Sequence, residues 1–299
     1  METEISNLLL HKRQVLFLWV LDLASFSVII KKSAYENIHK GEQLPMIIET
    51  IPGRNNYDIA CLHNITGGEK VAVIISHGFG SSKESPTATA LTEVLTVRGM
   101  GAFAYDFPGH GESPVDGGML RIKNCLDDLA TVEAHVHKIA PQAEIMYFSS
   151  SFGAYINLLY LAERTHMGTR SFLRSAAVNM PTIFRDGETP EIRKQLKEQG
   201  YFIRNMDYVR PLKVTREFCD DLAANDVFSL NKPGIIKNRA QIAMIHGSAD
   251  ETASVEDARR FASQSSADLL IVEGGSHRLM DPGQMDLVIE TAIDFFKVS

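Results

Sequence analysis

Three consecutive serines, Ser149 to Ser151, close an apolar run that begins at Ile145, and Gly153 follows two residues after the last of them. A strand, a tight turn that carries a serine, and a helix have this pattern, and the turn presents the serine hydroxyl at the carboxyl edge of a sheet. The helix behind the turn directs backbone N–H groups at the group that the serine attacks. Gly153 sets the frame, so Ser151 is the candidate nucleophile, although Ser149 stands where such turns usually have glycine. A serine that only caps the helix is the alternative.

A serine hydroxyl needs a neighbouring base to act as a nucleophile, and His277 and Asp250 are the candidates to complete the group. Each follows an apolar, strand-like run late in the chain, and loops at the carboxyl ends of parallel strands meet at one edge of a sheet. There His277 would take the proton of Ser151, and Asp250 would hold the imidazole tautomer. Glu251 is a reserve acid. Singly, such residues are typical of loops and helix caps, but their joint occurrence favours a catalytic triad.

The sequence His77-Gly78-Phe79-Gly80 directly follows another apolar run. Glycines let such a loop turn sharply and point its N–H groups inward. We predict that the backbone N–H groups of Phe79 and Phe152 form an oxyanion hole, which would stabilise the charge that develops during attack. A plain glycine turn into the next helix is the alternative.

A second loop, from Asp106 to Ser113, also contains residue types that could do chemistry. These are its first and last residues together with His110 and Glu112. Side chains in a loop rich in glycine and proline commonly bond to their own backbone. We therefore interpret this loop as structural.

The rest of the pattern predicts the elements that hold these loops. Continuous apolar runs predict strands buried in a parallel sheet, and apolar residues at a spacing of three to four predict helices. The predicted strands are 47–51 and 57–63, which form an edge hairpin, then 71–76, 101–105, 145–148, 175–179, 240–245 and 269–272. The predicted helices are 86–98, 120–139, 152–164, 190–199, 215–225 and 282–297. This order predicts an α/β fold with a mostly parallel central sheet and helices on both faces.

The predicted domain organisation has a core of residues 41–180 and 237–299. Residues 181–236 are more polar and too long for an ordinary connection, so we predict a lid or cap over the carboxyl edge of the sheet. Its aromatic residues could line a substrate pocket, although such residues are more often core of the lid itself. These aromatic residues are Tyr201, Phe202 and Tyr208.

Residues 1–40 form an apolar extension of uncertain role. Its run Val15–Ile30 is short for a membrane span and contains Asp22, which is costly in hydrocarbon. We do not favour a membrane contact through this run. A helix packed on the domain, a partner-binding helix and an extension outside the fold are the alternatives.

Composition limits the partners and the compartment. The net charge is −7 and no basic run stands out, so nucleic acid is not an expected partner. Cys61, Cys125 and Cys219 are far apart and have no metal-ligand spacing, which predicts free thiols in a reducing, cytoplasmic compartment. We expect neither a metal nor an organic cofactor, and the sequence leaves the oligomeric state open.

Together these motifs resemble those of the α/β-hydrolase superfamily, over about residues 45–297. The resemblance is strongest to bacterial cinnamoyl and feruloyl esterases and to hydrolases similar to serine aminopeptidases or monoglyceride lipases. The chain order Ser, Asp, His is also that of α/β-hydrolases. The resemblance rests on His77-Gly78-Phe79-Gly80, Asp106-Phe107-Pro108-Gly109-His110-Gly111-Glu112-Ser113, Ser151 with Gly153, His246-Gly247-x-x-Asp250, and Gly275-x-His277. It implies an α/β-hydrolase fold with a small lid insertion, but it does not define a substrate, because this fold hosts many chemistries.

The functional expectation is a serine hydrolase that cleaves carboxylic esters of small, medium or aromatic acyl groups through an acyl-enzyme. Its partner would be a small-molecule ester. Two alternatives stay open at this point. One is a peptidase or thioesterase with the same triad, and the other is a protein that keeps the fold and binds a ligand without turnover.

Overall fold

The computed structural model describes residues 46–205 and 209–297. The N-terminal extension with its run Val15–Ile30 lies outside the described residues, and so does Tyr208. Among the residues that are described, no helix is long and apolar enough to cross a membrane. All three cysteines are free, as predicted.

The centre of the fold is an eight-stranded sheet with the order β1-β2-β4-β3-β5-β6-β9-β10. Strands β1 and β2 pair in antiparallel fashion, β2 is antiparallel to β4, and all other neighbours are parallel. A separate two-stranded antiparallel hairpin contains β7 and β8. The strands are β1 (Ile47–Pro52), β2 (Asp58–His63), β3 (Val71–Ser76), β4 (Gly101–Tyr105), β5 (Glu144–Ser150), β6 (Arg170–Arg174), β7 (Tyr201–Arg204), β8 (Leu212–Thr215), β9 (Gln241–Gly247) and β10 (Asp268–Val272).

Helices cover both faces of this sheet, as the sequence pattern predicts. They are α1 (Pro86–Val97), α2 (Ile122–Ile139), α3 (Phe152–Glu163), α4 (Met180–Asp186), α5 (Pro190–Glu198), α6 (Arg216–Ala224), α7 (Lys232–Lys237), α8 (Val255–Ser265) and α9 (Gln284–Phe296). One apolar layer lies between the sheet and α2, α3 and α8. The other lies between the sheet and α1 and α9.

Strand β3 shows why the central strands have continuous apolar sequences. Ile74 belongs to the first layer, whereas Val73 and Ile75 belong to the second. Successive side chains of a strand point to opposite faces, and here both faces are buried. All six residues of β3 are accordingly buried, so the chain leaves this strand at a fixed point on the carboxyl edge.

The predicted strand at 175–179 is wrong, because the strand is Arg170–Arg174 and lies five residues earlier. The register places Phe172 beside Phe148 of β5, and its side chain is fully buried. Ser175 has a positive φ of 47° and ends the strand. The strand begins and ends with arginine, so its sequence does not show the continuous apolar run that predicts a buried strand. The apolar residues that follow it form a buried connection to α4.

The chain between β6 and β9 is attached firmly to loops that precede it. Arg121 makes a bidentate ion pair with Asp221, with distances of 2.6 and 2.7 Å. A Cβ atom on Gly117 would lie 1.8 Å from the backbone oxygen of Lys213, so a residue without a side chain is required there. Arg210 donates to the backbone oxygens of Gly111, Ser113 and Val115. The hairpin of β7 and β8, which the sequence pattern did not predict, therefore docks on the loop after β4.

Candidate active site

Ser151 lies on a strained turn between β5 and α3. Its φ is +50° and its ψ is −110°, a conformation that a residue with a side chain adopts only under external constraint. Its backbone N–H donates to the oxygen of Arg174 at 2.9 Å, and its oxygen accepts from Ala177 at 3.3 Å. These bonds to the β6 exit hold the turn in place, so the hydroxyl stands at the carboxyl edge of the sheet.

Gly153 is required because α3 begins against the end of β3. A Cβ atom at this position would lie 2.5 Å from the backbone oxygen of Ser76 and 2.6 Å from that of His77. Ser149, in contrast, lies within β5, and its Cα pairs with that of Ser76. The Ser149 side chain is fully buried, and its hydroxyl has no hydrogen-bond partner among the described residues. A small side chain is thus accommodated where glycine is usual.

The three side chains that the sequence predicts for the triad lie within hydrogen-bond distance of one another. His277 Nε2 is 2.9 Å from Ser151 Oγ. His277 Nδ1 is 2.8 Å from Oδ2 of Asp250 and 3.0 Å from its Oδ1. The imidazole is 16 % exposed, whereas the carboxylate is fully buried. The ring therefore lies between a serine hydroxyl and a buried anion.

Asp250 is surrounded by donors. The backbone N–H groups of Thr252 and Ala253 donate to Oδ1, and His246 Nε2 lies 3.1 Å from Oδ2. Burial by itself would raise the pKa of Asp250, but the hydrogen bonds from His246 and His277 hold that pKa well below its usual range. Asp250 is therefore ionised at neutral pH.

The reserve acid, Glu251, does not contact the ring of His277. Its Oε2 accepts instead from the backbone N–H of His277 at 3.1 Å. Glu251 thus fixes the loop of the histidine, whereas Asp250 contacts the imidazole. Sequence reasoning did not assign this loop contact, because it depends on how the two loops fold back on each other.

The loop after β3 lies directly beside the serine. A Cβ atom on Gly78 would be 3.5 Å from Ser151 Cβ, and the ring of Phe79 packs edge to face against that of Phe152 at 5.5 Å. The first N–H groups of a helix have no partner within the helix, and Phe152 is the first residue of α3. The two predicted oxyanion donors thus belong to neighbouring segments on either side of Ser151.

The loop that begins at Asp106 closes on itself and on the β3 exit, as predicted for a structural loop. Asp106 accepts from the backbone N–H groups of Lys83 and Glu112 at 2.7 and 2.9 Å. The ammonium of Lys83, which is almost fully buried, lies 3.3 Å from Asp106 and 2.6 Å from Glu112. His110 bonds to the backbone oxygen of Pro108. None of these contacts reaches Ser151.

Among the described residues, two aromatic side chains that the sequence analysis did not single out pack on the loop of residues 77–80. Phe184 of α4 and Phe218 of α6 pack on Phe79, with ring centroids 5.2 and 5.9 Å apart. Phe202 of β7 is buried in the apolar layer that also contains Phe184 and Phe218, and Tyr201 of β7 is half-buried. The apolar spacing of Phe218 within α6 was the available signal, since an amphipathic helix in an insertion must pack on something.

Arg174, at the end of β6, was also missed by sequence reasoning. It is 8 % exposed, and its Nε has no partner among the described residues. Burial lowers the pKa of its guanidinium to about 10, against the opposing attraction of Asp250. Buried arginines are usually paired with an acid, so a cation without a direct partner in the described chain stands close to the triad.

The sheet order and the strand, turn and helix around Ser151 define an α/β-hydrolase fold. Residues 67–217, just over half of the chain, match the family described as serine aminopeptidase, S33, and the chain belongs to this family. No curated protein sequence matches the chain.

Solved structures agree on the fold. A protein of Agrobacterium vitis S4 described as a hydrolase has a TM-score of 0.73 at 21% identity, covering 85% of this chain and 100% of its own. Est1E of Butyrivibrio proteoclasticus, solved with ferulic acid bound, has a TM-score of 0.66 at 19% identity, over 83% of this chain and 98% of its own. The mouse α/β hydrolase domain-containing protein 10 has a TM-score of 0.65 at 16% identity, over 83% and 97%. At these identities the similarity extends to the fold alone.

Proposed function

We propose that the protein is a serine hydrolase that cleaves carboxylic esters of small, medium or aromatic acyl groups. Ser151 is the nucleophile, His277 the general base and Asp250 the group that orients the imidazole. The observation that carries the proposal is the continuous chain of contacts from Ser151 Oγ through both ring nitrogens of His277 to the buried carboxylate. A serine, a base and an orienting acid in this order are the parts that acyl transfer to serine needs.

In the proposed reaction, neutral His277 accepts the proton of Ser151 while Oγ attacks the ester carbonyl. The imidazolium that forms is stabilised by the Asp250 carboxylate, which accepts from Nδ1. His277 then returns the proton to the departing alcohol, which leaves an acyl group on Ser151. Water activated by the same imidazole releases the acid. The backbone N–H groups of Phe79 and Phe152 would stabilise the oxyanion in both steps.

Two observations support the proposed substrate class. Phe79, in the loop that follows β3, forms an aromatic cluster with Phe184 and Phe218. Such a cluster suits an apolar or aromatic acyl group. Est1E, a neighbour in fold, binds ferulic acid, which is an aromatic acid. We further propose that the segment between β6 and β9 acts as the cap of this site.

A peptidase is the second candidate, because the family to which the chain belongs is described by the name of an aminopeptidase. The same triad can cleave an amide or a thioester, so the three reactions differ in the pocket and not in the nucleophile. A panel separates them: 4-nitrophenyl esters of acetate, butyrate and octanoate, methyl ferulate, an acyl thioester and an amino-acid 4-nitroanilide. A higher kcat/KM for the anilide than for every ester would overturn the proposed class.

The first test of the mechanism is labelling with a fluorophosphonate probe, which reacts only with an activated serine. We expect the wild-type protein to be labelled at Ser151, as identified by mass spectrometry of the modified peptide, and the Ser151→Ala variant not to be labelled. Ser149→Ala is the matched control, because Ser149 lies in the same strand exit and contacts none of the triad, and it should be labelled as the wild type is. A folded wild-type protein that is not labelled would favour ligand binding without turnover.

A further inference from the structure

We propose that His77 is a positioning residue that aims the backbone N–H of Phe79 at the oxyanion. The imidazole of His77 is buried at the exit of β3, and its Nδ1 lies 2.7 Å from the backbone oxygen of Gly78. That oxygen belongs to the peptide group whose N–H is the predicted oxyanion donor of Phe79. The inference rests on the proposed function, because it concerns the residue that holds one of the two proposed oxyanion donors in place.

The hydrogen bonds of His77 fix which ring nitrogen carries the proton. The backbone N–H of Phe107 points at Nε2, at 3.2 Å, so Nε2 must be an acceptor. A neutral imidazole has one donor and one acceptor nitrogen, so Nδ1 carries the proton and donates to Gly78. Burial lowers the pKa of His77 to about 4, and the ring therefore stays in this neutral form.

The rigidity of the peptide group transmits this bond to the donor. The C=O and N–H of one trans peptide lie in one plane and point in opposite directions. Fixing the oxygen of Gly78 therefore fixes the direction of the Phe79 N–H. The N–H of Ser81 donates to the same oxygen at 3.1 Å and closes a four-residue turn, in which Gly80 has a φ of 76°. His77 and the turn thus hold the plane from two sides.

His77 also ties this plane to a rigid part of the molecule. Phe107, whose backbone N–H donates to the ring, lies in the loop that Asp106 closes. The side chain of Asp106 is fully buried and bonds to two backbone N–H groups. One imidazole therefore connects the exits of β3 and β4 to the peptide beside Ser151.

Two substitutions separate the two bonds of the ring. An asparagine amide can occupy the place of Nδ1, so His77→Asn retains a donor for Gly78 and loses the acceptor for Phe107. A glutamine amide reaches the place of Nε2, so His77→Gln retains that acceptor and loses the donor. The readouts are kcat and KM for 4-nitrophenyl butyrate, the rate constant of fluorophosphonate labelling, and the Ki of an alkyl boronic acid, whose tetrahedral adduct places an oxygen in the oxyanion hole.

We expect His77→Gln to lower kcat and the labelling rate by about 10-fold and to weaken boronate binding similarly, while KM changes less than about twofold. This loss is smaller than the 10²–10³ typical of removing an oxyanion donor outright, because Ser81 still holds the plane. His77→Asn should stay within about threefold of wild type. His63→Asn, at a buried histidine that bonds to the backbone N–H of Ile65, is the matched control and should leave every readout unchanged.

Equal losses in the two His77 variants, or a change in KM without a change in kcat, would overturn the inference. So would a His77→Gln protein that does not fold, because the ring would then serve the whole fold and not one peptide. Failure of the proposed function looks different, since the wild-type protein would then neither be labelled nor turn over the ester.

Discussion

Two buried carboxyl groups in this protein have pKa values that are shifted in opposite directions. The side chains of Asp250, at the carboxyl edge of the sheet, and of Asp128, inside α2, are both fully buried. The pKa of Asp250 is held well below its usual range, whereas burial raises the pKa of Asp128 to about 7. Depth in the protein therefore does not decide whether an acid is ionised.

The number of donors accounts for the difference. Asp250 accepts from two imidazoles and two backbone N–H groups. Within the described part of the chain, Asp128 accepts only from Tyr57, whose hydroxyl lies 2.7 Å from Oδ2, and nothing there bonds to its Oδ1. A buried carboxylate is stable as an anion when donors replace its lost water, and otherwise it takes up a proton.

The largest expected effect comes from Asp250→Asn. The amide keeps the shape of the side chain but removes the charge that stabilises the imidazolium and selects its tautomer, so kcat should fall by about 10⁴-fold. Steady-state hydrolysis of 4-nitrophenyl butyrate measures the loss. Asp128→Asn is the matched control, with the same chemical change in a buried acid that touches no triad residue, and it should keep the wild-type rate. An Asp250→Asn enzyme with more than about a tenth of the wild-type kcat would contradict the assigned role.

The same two variants should change stability in opposite directions. The folded pKa of Asp128 is above its unfolded value, so the unfolding free energy of the wild type falls as pH rises from about 4 to about 7, where the folded carboxyl ionises. The ionised side chain of Asp128 destabilises the folded protein at pH 8, and Asp128→Asn removes this penalty. At about 1.4 kcal/mol per pKa unit, the variant should have an unfolding free energy higher by up to about 4 kcal/mol at pH 8. At pH 5 the gain should be smaller.

The contribution of Asp250 to the unfolding free energy changes with pH in the opposite direction. Its folded pKa is depressed, so its contribution to stability is present above about pH 4 and is lost as pH falls through the folded pKa. Asp250→Asn should therefore lower the unfolding free energy at pH 7. Urea unfolding of the wild type and both variants at pH 5, 7 and 8 measures these effects. If both variants changed the unfolding free energy in the same direction, the pKa values of Asp250 and Asp128 would not be shifted in opposite directions as described.

A smaller effect is expected from Tyr57→Phe, which removes the single donor to Asp128. The loss should be about 1–3 kcal/mol, the range for a hydrogen bond to a charged or buried group. Combined with Asp128→Asn, the loss should shrink at pH 8, because the remaining partner no longer carries a charge. Urea unfolding of the four proteins of this double-mutant cycle gives the coupling between the two residues. Strictly additive effects would mean that the hydroxyl does not act through the carboxyl group.

Much of the fold could be predicted because local pattern and tertiary role agree along most of the chain. The strand at Val71–Ser76 and the helix that begins at Phe152 were predicted at the positions where they occur. The strand at Arg170–Arg174 was not, because only the sheet register decides which part of that run pairs with its neighbours. The β7 and β8 hairpin was missed for a similar reason, since two strands of four residues each are too short to carry a clear periodic signal.

Part of the candidate site could be predicted from the sequence, and part could not. Ser151, Asp250 and His277 were predicted from residue type and loop position, and the structure brings them together. The bonds of His77 and His246 were not predicted, because they depend on ring orientation and on the particular backbone atoms that face each ring. Sequence motifs identify the residue types that act on a substrate more readily than the buried groups that hold them.

The turn at Ser151 also has a consequence for finding related genes. Only one end of the turn, Gly153, is in contact so close that a side chain is excluded, while Ser149 at the other end lies in the strand and has room for a hydroxyl. A search pattern that demands glycine at both ends would pass over this chain. A pattern that fixes the second glycine and admits any very small residue at the first position would retrieve it.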